Sequence, residues 1–490
     1  MNIVFVSSEV EPLAKTGGLA DVVSSLSLAL QRLGHRVSIV MPFYDLITAS
    51  GVETRDAGLV IQVPLEGRVR QGAVWTTTID GVPVYLLRDP ELYDRGGIYG
   101  SGGKDFPDNA IRFAFLSRAA LEIAKATSLE PDVFHIHDWQ ASLLPVYRDQ
   151  YYRNDRFIGQ AGVVLTIHNL VYQGLFPRDI LSTLELPSSL FRLDALEFFG
   201  QVNFLKGGIV FSDKISTVSP TYAREIQGRE LGAGLNGLLR YRSADLVGIL
   251  NGIDTSLWNP ETDKALWAPY TSSQPEGKAT NKAALQKKLG LEVSAETPLI
   301  AAIGRLDPQK GFDLILAVTP RLLREGAQLV LLGAGAREYL DAFEALGKEF
   351  PHQLSINQGF QPDLGRQIYA GADIFLMPSR YEPCGLGQLL AYRYGAIPVV
   401  RRTGGLADTV DDFDENPDGG RGFVFEAFEA EALGQALDRA LARFRDTKSW
   451  GKLVRRAMEA DFSWKSSATA YLELYEAAKR RAAGQPSENA

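Results

Sequence analysis

Apolar positions along the chain recur with two periods, and the way these alternate predicts the architecture. Residues 2–8, NIVFVSS, form the continuous apolar run of a buried strand. Residues 19–33 carry apolar side chains at helical spacing as far as Gly34, and 36–41 read as the next strand. Together they predict a βαβ unit whose glycine turn lies at the strand's carboxyl end, where open parallel sheets bind ligands. Shorter alternating runs at 59–63, 74–79 and 82–87 suggest an antiparallel excursion, and YDRGGIYGSGGKDF after them reads as a mobile loop. A helix is expected over 109–126 and strands over 132–137, 163–168, 213–218 and 246–250, with GRELGAGLNGLLR as a second glycine-rich loop.

The Trp, Pro, Thr and Ser content of 255–280 marks a crossing, after which the alternation restarts. Strands are expected over 298–303, 329–332, 354–358, 372–377 and 397–400, with helical patterns between them. The predicted class is α/β, with two Rossmann-like βαβ domains facing each other across a cleft. Their bounds are 1–252 and 253–462; an amphipathic helix at 463–481 is expected to pack back on the first domain, and a polar tail at 482–490 to be disordered.

Composition narrows the function. A chain of 490 residues exceeds the size at which one core keeps growing, which supports two domains. Against 59 acidic residues stand 51 Lys and Arg, a net charge of −8, so an anionic ligand must be held by local cations and nucleic acid is an unexpected partner. One cysteine and five histidines exclude an intrachain disulfide, leave little for zinc and point to a reducing compartment. Met1 leads straight into a strand without a basic leader, and no apolar run approaches the roughly 20 residues that span a bilayer. A cytoplasmic protein without membrane contact is the expectation.

The hexapeptide TGGLAD occurs at 16–21 and again at 403–408, which suggests two related halves, each placing a glycine pair ahead of a helix. Glycine lets a ligand approach the backbone and a helix N-terminus attracts anions, so a phosphate is the expected guest. Lys15 would set its ammonium over that phosphate. GRLDPQKG places Arg305 and Lys310 just beyond a strand, where two cations can neutralise a pyrophosphate as its bond to a sugar breaks. Glu382, before Pro383 and Gly385, stands at the mouth of a helix expected near Leu386, as nucleophile, base or anchor for sugar hydroxyls; the bland alternative is a carboxylate stabilising the helix dipole.

Asp138 and His168 end neighbouring strands in HIHDWQ and TIHNL and are expected on the cleft side, although a lone histidine is as readily a satisfied core group. His135 and His137 are taken to face opposite sides of their strand, against a shared metal. Cys384 reads as packing, since no partner base is identifiable. GAGARE at 333–338 lacks the third glycine of a dinucleotide fingerprint, and DDFDENPDGG reads as a solvated acidic loop instead of a metal-holding triad.

KTGGLADVV, HIHDWQ, TIHNL, LNGID, GRLDPQKG, PSRYEPCGLGQL and RRTGGLAD, in that order over nearly the whole chain, resemble the bacterial glycogen synthases and plant starch synthases, retaining glucosyltransferases of GT-B architecture. The resemblance implies glucose transfer from a nucleotide diphosphate sugar, usually ADP-glucose, to the non-reducing 4-hydroxyl of an α-1,4-glucan such as glycogen, with no metal or other cofactor. It puts the acceptor on the first domain and the nucleotide sugar on the second. By motif, Lys15 with Gly17 and Gly18 flanks the nucleotide sugar, Arg305 and Lys310 hold its pyrophosphate, and Glu382 lies beside the glucose. Thr403, Gly404 and Gly405 bind the distal phosphate and sugar hydroxyls; Asn251, Cys384, Gly385 and Leu386 join the donor set, and Tyr369 packs on the adenine. His168 lines the sugar site through its carbonyl and ring, while Glu9, Asp138, Asn169 and Tyr93 resemble acceptor-side residues. Many retaining enzymes of this architecture carry a second glutamate eight residues after the first, where this chain has Leu390.

Retention without an obvious nucleophile favours same-face substitution. Competing readings are a sucrose or trehalose-phosphate synthase type with a small acceptor, a phosphorylase, which would need a pyridoxal lysine and a longer chain, and a catalytically silent glucan-binding scaffold. An oxidoreductase rests only on the double βα pattern. Oligomeric state and regulation are not set by the sequence.

Overall fold

The computed structural model describes residues 1–484, and of the tail expected at 482–490, residues 485–490 lie outside them. The chain forms two compact units, one of Met1–Gly252 together with the chain from Trp464 onward, the other of Ile253–Ser463.

The first unit is built on nine strands: β1 Asn2–Val6, β2 Arg36–Pro42, β3 Arg55–Leu65, β4 Arg68–Ile79, β5 Val82–Arg88, β6 Val133–His137, β7 Gly162–Ile167, β8 Lys214–Thr217 and β9 Leu246–Gly248. They lie in the order β9-β8-β7-β6-β1-β2-β5-β4-β3. All neighbours are parallel except β5–β4 and β4–β3, the antiparallel excursion expected from the alternating runs. Strands β1, β6 and β7 are buried on both faces, which is why they read as unbroken apolar runs. The helix Gly18–Arg32 turns Leu19, Val22, Val23, Leu26 and Leu30 inward. The C-terminal helix Trp464–Ala482 packs on β7 and on that same helix.

Two loops depart from expectation. The segment read as mobile contains a hairpin, Gly100–Ser101 with Lys104–Asp105, and the second glycine-rich loop turns helical at Asn236–Tyr241. His135 and His137 are corrected: residues two apart on a strand share a face, and their ring centroids lie 4.2 Å apart.

The second unit has six parallel strands: β10 Leu299–Ile303, β11 Gln328–Gly333, β12 Leu354–Gln358, β13 Ile374–Met377, β14 Ile397–Arg401 and β15 Phe423–Phe425. Their order is β12-β11-β10-β13-β14-β15. In each sheet the chain adds its strands first on one side of a central strand and then on the other. The reversal falls between β1 and β6 in the first unit and between β10 and β13 in the second. Loops leaving such a pair of strands splay apart and leave a crevice at their carboxyl ends. Among the described residues, no helix is long and apolar enough to cross a membrane.

Candidate active site

At the reversal in the second unit, the loops after β10 and β13 meet. A 3₁₀ turn, Pro308–Lys310, capped by the Asp307 carboxylate on the Lys310 amide at 2.9 Å, ends the GRLDPQKG segment. It carries the Lys310 ammonium to 2.7 Å from Glu382 Oε2. Glu382 is buried and also accepts the Ser379 hydroxyl at 2.9 Å. A buried carboxylate needs such partners, because desolvation of an unpaired charge costs several kcal/mol (~3–5). Arg305 lies nearby in sequence but outward, half exposed, with its guanidinium on Gln309 at 2.9 Å.

The second TGGLAD turn closes over the same loop. The Gly405 amide donates to the Glu382 carbonyl at 3.0 Å, and Gly404 has φ +44°. A Cβ on Gly404 would lie 1.9 Å from the Glu382 carbonyl oxygen, and one on Gly405 2.0 Å from that of Cys384. These glycines are therefore required by close backbone packing, which sets the turn against the carbonyls of Glu382, Pro383 and Cys384. Leu386 is the N-cap of the helix Gly387–Arg393, and Leu390 packs inside that unit.

The first TGGLAD turn differs. Gly17 has extended backbone and its Cβ position has nothing within 4 Å, so packing among the described residues does not require a glycine there. Glu9, in the loop after β1, accepts the Thr16 amide at 2.5 Å, the Thr16 hydroxyl at 2.7 Å and the Gly17 amide at 3.2 Å. An internal carboxylate thus caps the turn where a phosphate was expected. Lys15 pairs with Asp21 at 2.7 Å and Glu11 at 3.4 Å; burial opposes its charge, but the two carboxylates more than offset it and leave its pKa raised.

Across the reversal in the first unit stand Asp138 and His168. Asp138, at φ +53°, accepts the His168 amide at 2.7 Å, and burial pushes its pKa up to about 7 even though the His168 and Asn169 amides stabilise the anion. His168 Nε2 meets His137 Nδ1 at 3.0 Å, and burial lowers the His168 pKa to about 3. Asn169 is part-exposed and caps a local turn by accepting the Val171 amide.

Tyr93 and Tyr369, both expected in the site, belong to packing. Tyr93 is fully buried and donates its hydroxyl to the Arg112 carbonyl, so it offers no surface to an acceptor. Tyr99, which nothing in the sequence singled out over Tyr93, is the tyrosine that bonds Glu9 at 2.5 Å and Ser8 at 2.8 Å. Tyr369 is enclosed by Phe375, Trp258 and Tyr394, which leaves its ring no open face for a base. Asn251 is buried too, and its Oδ1 has no partner among the described residues. The GAGARE glycines serve close packing, since Cβ atoms at Gly333 and Gly335 would strike the Gly304 and Leu306 carbonyls. Asp412 is not solvated: it is buried on Arg439 at 2.9 Å and on the Val424 amide.

Residues 2–241 match the starch synthase catalytic domain profile, and 286–456 that of glycosyl transferases group 1. A glycogen synthase of Geotalea daltonii is 48% identical over 478 residues, covering 97% of this chain and 98% of that one. The chain belongs to the glycogen and starch synthase family. It is accordingly a glycosyltransferase of glycogen or starch synthesis. A glycogen synthase of Koribacter versatilis is 44% identical, covering 99% of this chain and 100% of that one. The solved catalytic domain of starch synthase IV from Arabidopsis thaliana, bound to ADP and acarbose, superposes with a TM-score of 0.92 at 38% identity, covering 98% of this chain and 99% of that one. A sucrose-phosphate synthase from Thermosynechococcus elongatus, at 18% identity and a TM-score of 0.59, shares the fold alone.

Proposed function

We propose that this glycosyltransferase moves glucose from ADP-glucose to the non-reducing 4-hydroxyl of an α-1,4-glucan with retention, releasing ADP in the cytoplasm without a metal ion. The observation that carries the reading is the buried Glu382 carboxylate held by Lys310 and Ser379 at the second unit's strand reversal, beside the Gly404–Gly405 turn. The ADP and acarbose on the Arabidopsis starch synthase support a nucleoside diphosphate sugar and a glucan as partners.

In this reading the bond between glucose C1 and the β-phosphate oxygen breaks as a bond from C1 to the acceptor oxygen forms on the same face. The acceptor's proton passes to the leaving phosphate. Arg305 and Lys310 take up the charge that develops there. Glu382 is bound on one oxygen by an ammonium and a hydroxyl, which suits an anchor that orients the sugar better than an attacking nucleophile. His168, with its carbonyl and ring, and Asp138, Asn169, Glu9 and Tyr99 attend the sugar and acceptor in the first unit.

The test is nucleotide release from ADP-glucose and from UDP-glucose, with and without glycogen, in the presence of chelator. Glycogen-dependent ADP release that survives chelation is expected, and Glu382→Ala should lower it by about 10²-fold or more while the protein stays folded. Preference for UDP-glucose would overturn the donor assignment. No release from either donor by folded protein that binds glycogen would overturn the enzyme reading in favour of a silent binder.

A further inference from the structure

The pair His137–His168 carries more than its place in the sugar site. His137 is completely buried at the end of β6, its ring 5.5 Å from that of Phe5 and 4.2 Å from that of His135. His135 is spoken for on both nitrogens, by Thr166 at 2.6 Å and Tyr475 at 2.8 Å. His137 has one bond, from its Nδ1 to His168 Nε2 at 3.0 Å, and none of the described residues offers its Nε2 a partner.

Burial holds both rings of the pair neutral at ordinary pH. A neutral imidazole carries one N–H and one lone-pair nitrogen, so a single proton lies between the two rings and belongs to one of them. If His168 Nε2 supplied it, the proton of His137 would have to sit on the orphaned Nε2, leaving a buried N–H with no acceptor, a feature folded proteins rarely tolerate. If His137 Nδ1 supplies it, the orphaned atom is a bare lone pair, and His168 must carry its own proton on Nδ1. That nitrogen belongs to a part-exposed side chain and bonds to none of the described residues.

We propose that His137 is a positioning residue that fixes His168 as the Nδ1–H tautomer, so that the ring presents a hydrogen-bond donor to a substrate oxygen. An unpaired His168 could populate either tautomer and would present a donor only part of the time. That the oxygen belongs to a sugar rests on the function proposed above; the tautomer does not.

Long-range ¹H–¹⁵N correlation spectra of histidine-labelled, ligand-free full-length protein read the tautomer directly, with His137→Leu and His168→Gln assigning the signals. Protonated Nδ1 with unprotonated Nε2 is expected for both rings, and a protonated Nε2 on His168 would overturn the proposal. In His137→Leu the His168 signals should shift toward tautomer averaging. There kcat should fall about tenfold, the worth of one hydrogen bond, with KM for glycogen within about twofold. His137→Asn, whose amide can donate from nearly the same place, should restore the spectrum and most of kcat. Equal loss in both variants with the His168 spectrum unchanged would make His137 merely structural. The expected spectrum in a protein that turns over no nucleotide sugar would leave the tautomer standing and remove the sugar reading instead.

Discussion

Asp138 shows how one side chain couples the site to solution conditions. Burial raises its folded pKa to about 7, whereas an unfolded aspartate titrates near about 3.9. Between those values the folded state binds the proton more tightly. The group's contribution to stability is therefore fully present below about pH 4 and lost as pH rises through about 7. Asp138→Asn keeps an oxygen for the His168 amide but cannot titrate, so melting temperatures at pH 5 and pH 8 should show the variant gaining on the wild type at the higher pH. A difference that stays constant over that window would mean Asp138 does not titrate there. His135, His137 and His168, held below the usual histidine range by burial, act oppositely by destabilising the fold in acid, but they are common to both proteins and cancel in the difference. None of this was legible in HIHDWQ. That motif marked Asp138 as a strand end, as TIHNL marked His168, but the φ +53° that turns the carboxylate onto an amide 30 residues away is a tertiary fact. The same holds for Lys310 and Glu382, 72 residues apart, and for the choice of Tyr99 over Tyr93 within one glycine-rich loop.

At the scale of elements, the two TGGLAD turns are alike in sequence and different in reason. Gly404 and Gly405 sit under backbone carbonyls at 1.9 and 2.0 Å from where a Cβ would be, while Gly17 faces open space. Gly405→Ala should therefore cost about 2 kcal/mol or more by forcing the Glu382 loop away, and lower the melting temperature and the activity together. Gly17→Ala should leave the melting temperature within about a degree, since its backbone is open to any residue, yet on the proposed function raise KM for the nucleotide sugar, because the added methyl would stand where the donor is proposed to approach the turn. Calorimetry with donor-saturation kinetics on both variants separates the two; equal destabilisation would refute the distinction. The repeated motif made both turns visible in the sequence, since glycine pairs before a helix have few uses. Its two different neighbours did not show, because a sequence names the glycine without naming what lies over it. Regular strands such as β1, β7 and β10 were legible for the opposite reason: burial on both faces writes itself as an unbroken apolar run. The three-residue β15 is too short to leave one.

The whole molecule is not two beads in series, because the chain returns to its first unit at Trp464. The returning helix buries Trp464, Ala468, Tyr471, Leu474, Tyr475 and Ala478. It bonds Tyr475 to His135 on the strand that ends at His137, pairs Lys479 with Asp132 at 2.6 Å, and sets its backbone at Ala478 against Gly162, where no side chain would fit. At about 1.5–3 kcal/mol for each of its four large buried side chains, the helix contributes on the order of 6–12 kcal/mol before its ordering entropy is subtracted. That is as large as the net stability of an ordinary domain, about 5–15 kcal/mol. Residues 253–463 expressed alone should therefore unfold cooperatively, whereas 1–252 alone should expose its core, bind a hydrophobic dye and be rapidly proteolysed. Adding a peptide of residues 464–484 should restore cooperative unfolding to 1–252, and the same peptide carrying Tyr475→Ala and Leu474→Ala should not. A stably folded 1–252 fragment indifferent to the peptide would show that the helix decorates the first unit without completing it. Because His135 touches both Tyr475 and Thr166, restoration should also bring back the histidine resonances of the site, tying the last helix of the chain to the chemistry at the end of β6.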